Sequence, residues 1–251
     1  DNQRGTGDVW LYDLRRETRT RLTFDPGHDG VPVFTPDSSR VYYGSGRSGH
    51  FSLYAAPVAG FESEELILDP GFNVFASSWT PDGSVLSLNC PNQEETILLL
   101  DAASGEATPL PLGPGRHRTV QFSPDGRFIA YSSNSSGRWE VYVAPYPQLS
   151  RKWPVSRDGG GWPRWSATGD QLYFHAEDGA LMMATFDATE SSVDISKPEA
   201  LFDLNQAIGI NRVYDVMPDG ERFLVRESTP QEFLEPLTLV LNWTRLLEGP
   251  R

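Results

Sequence analysis

A chain of 251 residues that is 38% hydrophobic and 12% aromatic can bury a substantial core, which excludes a disordered polypeptide. Its formal net charge of -13 opposes a phosphate backbone, so nucleic acid is excluded as a partner unless a local basic patch outweighs the overall field. Gly (23) and Pro (20) are scattered at intervals rather than clustered, which suits many short strands and turns and points to an all-β protein.

From the N-terminus, GDVWLYDL (7–14) and TRTRLTF (18–24) read as the two outer strands of a unit whose inner hairpin does not appear before Asp1. FTPDS (34–38) follows, and the phrase returns as WTPDG (79–83), FSPDG (122–126), WSATG (165–169) and VMPDG (216–220). Their third residues fall at 36, 81, 124, 167 and 218, spacings of 45, 43, 43 and 51, and a period in the forties marks a repeat architecture. The turn has a physical rationale: the hydroxyl accepts a local hydrogen bond, Pro sets the first corner, Asp caps the backbone and Gly tolerates positive φ.

After each turn comes a β-rich run (VYYGS, VLSLN, FIAYSS, QLYFHA, RFLVRE), then a second (FSLYAAPV, ETILLLD, WEVYVAPY, LMMATF, LTLVLNW). A third run, such as EELILD, ATPLPL, KWPVS or EALFD, usually precedes the next turn. With the strand ending at the anchor aromatic, each unit supplies four strands, the number in a β-propeller blade. The expected fold is an all-β propeller of four-stranded blades, one domain over 1–251, with about five and a half blades here and six when complete. Phe34, Trp79, Phe122 and Trp165 close the innermost strands and are expected in the core between blades. WSATG lacks the Pro-Asp pair and VMPDG lacks the hydroxyl and the aromatic, so the last two blades depart furthest from the pattern.

Cys90 is single, which excludes an internal disulfide and reads as a buried strand thiol. The sequence has no apolar run of about 18 residues and no signal-peptide pattern at Asp1, so the chain is expected neither to insert in a membrane nor to direct its own export.

The phrases GDVWLYDL, LTFDPGHDGVPVFTPD, FSPDGRFIAYSSNSSGRWEVYVAPYP, KWPVS followed by GGGWPRW, YDVMPDGERFLV and LTLVLNW together resemble the TolB-type, WD40-like propellers that form C-terminal regions of bacterial transmembrane serine/threonine protein kinases. The resemblance implies a sensor or interaction region on the extracytoplasmic side, with catalysis in a separate N-terminal domain. The chain contains neither a glycine-rich phosphate loop nor a His-Arg-Asp followed by Asn, so it is not itself a kinase. Related propellers also gate prolyl oligopeptidases, stand alone as TolB-like adaptors, or serve as metal-dependent lyases.

Candidate functional residues follow from the repeat. The residues just before each anchor, Val33, Ser78, Gln121, Arg164 and Asp215, are expected to face the central channel, with Arg116, Arg118, Trp162, Asn211 and Arg212 in the loops above. Convergent guanidinium groups beside a Trp suit a carboxylate or peptide terminus, so the expected partner is a protein, a peptide or a small anionic ligand at one propeller face. The competing expectation is that these arginines pair with neighbouring carboxylates between blades. No catalytic residue, cofactor or metal is assigned. His28, His50, His117 and His175 come from different repeats without a close-spaced pair and read as solvent-exposed loop histidines. GSGRSG (44–49) does not fit a nucleophile elbow, Asp25 to Gly30 lacks the ligands of a calcium loop, and the triplets at Asn134 and Asn242 are too short to mark glycosylation; all read as turns.

Overall fold

The computed structural model describes residues 7–59, 64–91, 96–189, 192–204 and 213–226, and the backbone of 238–240. They form two compact units, Asp1–Leu112 and Gly113–Arg251. In the first unit, β1 (Trp10–Asp13) and β2 (Thr18–Arg21) make a two-stranded sheet. Two antiparallel meanders follow: β3 (Asp29–Phe34), β4 (Arg40–Ser45), β5 (Ser52–Pro57) and β6 (Glu65–Leu68), then β7 (Phe75–Trp79), β8 (Val85–Cys90), β9 (Thr96–Asp101) and β10 (Ala107–Pro109).

The second unit continues with β11 (His117–Phe122), β12 (Phe128–Ser133), β13 (Glu140–Pro145) and β14 (Trp153–Pro154). In the next sheet, β15 (Gly160–Trp165) and β16 (Gln171–Ala176) lead to β17 (Ala180–Ala188), which pairs with both β18 (Val193–Ile195) and β19 (Glu199–Asp203). A last sheet holds β20 (Tyr214–Val216), β21 (Phe223–Val225) and β22 (Thr238–Val240). The extra β17–β18 hairpin accounts for the longest repeat spacing: it lengthens the fourth meander without disturbing its inner strands.

Within each unit, neighbouring meanders bury their central strands against one another. Leu53 meets Leu86, Leu88 and Leu100 between the first and second. Ala130, Val141 and Val143 meet Leu172 and Phe174 between the third and fourth. Tyr173 and Leu181 meet Tyr214 and Phe223 between the fourth and fifth. Burial on both faces explains why β12, FIAYSS, is apolar or small throughout rather than alternating. Cys90 is buried on β8 as expected, and burial raises its thiol pKa to about 11.

The repeated turn forms as its residues dictate. Thr35, Thr80 and Ser123 each donate a hydroxyl to the Asp two residues on at 2.6 Å, while the same oxygen accepts the N–H of Arg40, Val85 or Phe128. These bonds hold the Asp37 and Asp82 carboxyls at about 2. The two divergent turns close as well. In the fourth, Ser166 and Thr168 both donate to Asp170, so the carboxylate moves past the glycine rather than being lost. In the fifth, Asp219 accepts the N–H groups of Glu221 and Arg222 without a hydroxyl.

Gly83, Gly126, Gly169 and Gly220 take φ of 69° to 78° at the corner, and Ser38 takes φ 58° at the same place in the first turn. An exposed Ser there carries the left-handed penalty without compensating burial. Ser38→Gly is expected to raise unfolding stability by about 0.5–1 kcal/mol, less than the full penalty because glycine also loosens the unfolded chain. A denaturant midpoint that does not rise would refute this.

Two expectations need correction. Phe34 is 51% exposed, not core. Trp79 meets Tyr42 of the preceding sheet, but the pair β1–β2 contributes no described inner strand to cover Phe34. His117 and His175 are buried rather than exposed in loops, because His117 opens β11 and lies edge-on to Tyr131, and His175 lies within β16, whose residues Leu172–Ala176 are all buried.

Candidate functional site

The residues preceding the anchors of the third, fourth and fifth sheets, Gln121, Arg164 and Asp215, lie on the innermost strands β11, β15 and β20. Arg164 is 8% exposed; its Nε donates to Asp215 Oδ1 at 3.2 Å and one terminal nitrogen donates to the Pro163 carbonyl at 2.9 Å. The Asp215 side chain remains 45% exposed, so the pair presents its acidic partner to solvent. This is the inter-sheet ion pair that the competing expectation described, at the place where the channel residues were expected.

The backbone that carries these groups is bulged. Register shifts interrupt the pairing of all four complete inner strands, and in three of them the residue three before the anchor has positive φ: Val31 (54°), Thr119 (58°) and Trp162 (57°). A β-branched residue in that region is strained, and it persists here because the strands on either side fix it. The bulge re-aims the chain ahead of the anchor. At Trp162 it turns the carbonyl to accept the Tyr214 hydroxyl at 2.6 Å, while Trp165 Nε1 donates to the Gln121 carbonyl at 3.2 Å. Three neighbouring inner strands are thereby tied together through the predicted residues.

Among the other expected site residues, Arg118 lies with its guanidinium 3.9 Å from the Trp139 ring centroid, a cation–π contact within the third sheet. Arg116 has an exposed side chain and a backbone N–H held by Asn134 Oδ1 at 2.8 Å. Trp162 is half-buried at its bulge. Asn211 and Arg212 lie outside the described residues. The structure thus joins Arg164 to Asp215 and fixes Gln121 and Trp162 by their carbonyls.

Two further features escaped the sequence. Asp29 is buried on β3 with its carboxylate 3.8 Å from Arg47, whose guanidinium pairs with Glu64 at 2.7 Å and stacks on Tyr54 at 4.1 Å. Because Arg47 sits inside a Gly/Ser turn, its sequence context carried no signal. A cavity of about 470 Å³ opens between the fourth and fifth hairpin turns, with Ser166, Ala167 and Thr168 of the divergent WSATG turn in its wall.

Five antiparallel sheets of three to five strands stacked face to face within their units, without a helix among the described residues, define a β-propeller fold. That fold is similar to the propeller fold of TolB. A solved TolB from Acinetobacter baumannii superposes with TM-score 0.68 at 17% identity, over 88% of this chain and 54% of that one. An oligogalacturonate lyase in complex with manganese superposes at TM-score 0.55 and 13% identity, over 87% of this chain and 78% of that one, which shows the fold alone.

In sequence, the chain is 30% identical over 142 residues to the Tol-Pal system protein TolB of Helicobacter pylori, covering 55% of this chain and 34% of that protein. It is 25% identical over 226 residues to tricorn protease homolog 1 of Streptomyces coelicolor, covering 89% of this chain and 19% of that protein. The chain therefore spans about a third of the length of the first of these curated relatives and about a fifth of the second. No protein-family model matches it.

Proposed function

We propose that this chain is a non-catalytic interaction propeller of a larger bacterial protein, binding a protein, a peptide or a small anionic ligand at the face formed by Gln121, Arg164 and Asp215 with Arg116, Arg118 and Trp162. The observation that carries the reading is the tying of the adjacent inner strands β11, β15 and β20 through these residues, which fixes Gln121, Arg164 and Asp215 in place with the exposed Arg116 just before β11. Fixed donors and acceptors in alternation suit a peptide terminus, and rigid presentation lowers the ordering cost of binding. The region acts on the extracytoplasmic side, as the sensor of a membrane serine/threonine kinase. The likeness to TolB supports a free-standing adaptor equally, and reading the gene beyond both ends of the chain separates the two.

Thermal unfolding with short peptides bearing a free C-terminal carboxylate tests the site. A peptide at 100 times its Kd is expected to stabilise the chain by about 2.7 kcal/mol, and Gln121→Ala with Arg116→Ala is expected to remove that gain while the unliganded midpoint holds. Equal stabilisation of the double variant would overturn the site.

A further inference from the structure

The hairpin turns of neighbouring sheets pack against one another through a repeated wedge. A methyl group placed on Gly83 of the second turn would lie 3.7 Å from the Pro36 ring of the first, and one on Gly169 of the fourth would lie 3.3 Å from the Pro124 ring of the third. Between the fourth and fifth turns the wedge position holds Ala167, and a methyl group on Gly220 would meet nothing within 4 Å. The cavity of about 470 Å³ lies at this junction, with Ala167 and Gly220 both in its wall. Ala167 leaves unmade the contact that Pro36 and Pro124 make at their junctions, and the volume of the space here falls within the range of ligand sites.

The lining selects what can enter. Asp170, Asp219 and Glu221 supply carboxylates, while Met183 and Pro218 supply apolar surface. Arg222 pairs with Asp219, but Asp170 is held by the Ser166 and Thr168 hydroxyls rather than by a cation. Glu221 is exposed at the rim. Carboxylates above an apolar wall match an ammonium or guanidinium group on an aliphatic stem.

We propose that this cavity, walled in part by Ala167 where the other turns carry a proline, is a second binding site that takes a lysine or arginine side chain of a partner protein. It is independent of the Arg164 site, since it lies at the hairpin turns and selects the opposite charge.

The probes are N-acetyl-arginine amide and N-acetyl-lysine amide, with N-acetyl-glutamate amide as control, titrated into the whole chain by NMR or calorimetry. Saturable binding of the basic amides that weakens with added salt is expected, and no binding of the acidic one. Ala167→Pro restores the wedge at a turn already shaped for it and is expected to weaken binding at least about tenfold with the unfolding midpoint unchanged or raised. Glu221→Lys, at an exposed position, is expected to weaken binding even if Ala167→Pro folds poorly. No saturable binding, equal binding of the acidic amide, or undiminished affinity in folded Ala167→Pro would each overturn the proposal. The carboxylate-peptide experiment on Gln121 and Arg116 can fail without affecting this result, and the reverse also holds.

Discussion

Trp165→Ala is expected to lower unfolding stability by about 3–5 kcal/mol, whereas Phe34→Ala, at the same place in the repeat, is expected to cost less than about 1 kcal/mol. The Trp165 ring stands edge-on to Phe186 at 4.9 Å and packs in the cluster that joins the third and fourth sheets. Its indole N–H also donates to the Gln121 carbonyl, so truncation leaves a cavity and deprives that carbonyl of a donor. Phe34 is half exposed and loses little burial. Denaturant unfolding of both variants, compared at equal m-value, measures the difference. Equal losses would mean that Phe34 is covered in solution by a surface that the described residues do not supply.

The second large effect is expected at Glu140, a carboxylate only 4% exposed at the start of β13. It accepts the Gly159 N–H at 3.1 Å and the Ser156 hydroxyl, and Arg138 Nε donates to it at 2.6 Å. Ser156 in turn accepts the Val141 N–H at 2.8 Å, so the carboxylate fastens the segment entering β15 to the third sheet.

Glu140→Ala strands several of these donors and is expected to cost about 3 kcal/mol. Glu140→Gln keeps an acceptor for Gly159 and is expected to cost about 1–2 kcal/mol. Arg138→Ala should cost less than about 1 kcal/mol, because its side chain is 49% exposed and the carboxylate retains its other donors. The order Ala, Gln, then Arg138→Ala in equilibrium unfolding is the readout. An Arg138 loss as large as that of Glu140→Ala would show that the ion pair, not the hydrogen-bonded staple, holds the segment.

The hairpins were legible because their chemistry is local. A hydroxyl, an Asp and a Gly within five residues suffice to close a turn, and the apolar runs that follow it can bury their side chains only as strands. The position of Gln121, Arg164 and Asp215 on the inner strands was also legible, since it follows from counting back from each anchor. The fate of Arg164 was not: whether a guanidinium faces a ligand or a neighbouring carboxylate depends on residues about 50 positions away, here Asp215.

The bulges at Val31, Thr119 and Trp162 left no mark either, because nothing about a β-branched or aromatic residue announces positive φ, and only the register of the adjacent strand imposes it. By itself, then, the sequence determined the repeat, its strands and the net negative charge. The tertiary structure decided which anchors are core, that Arg164 is held in an ion pair, and that a cavity lies between the fourth and fifth turns, since each depends on what the next sheet places opposite.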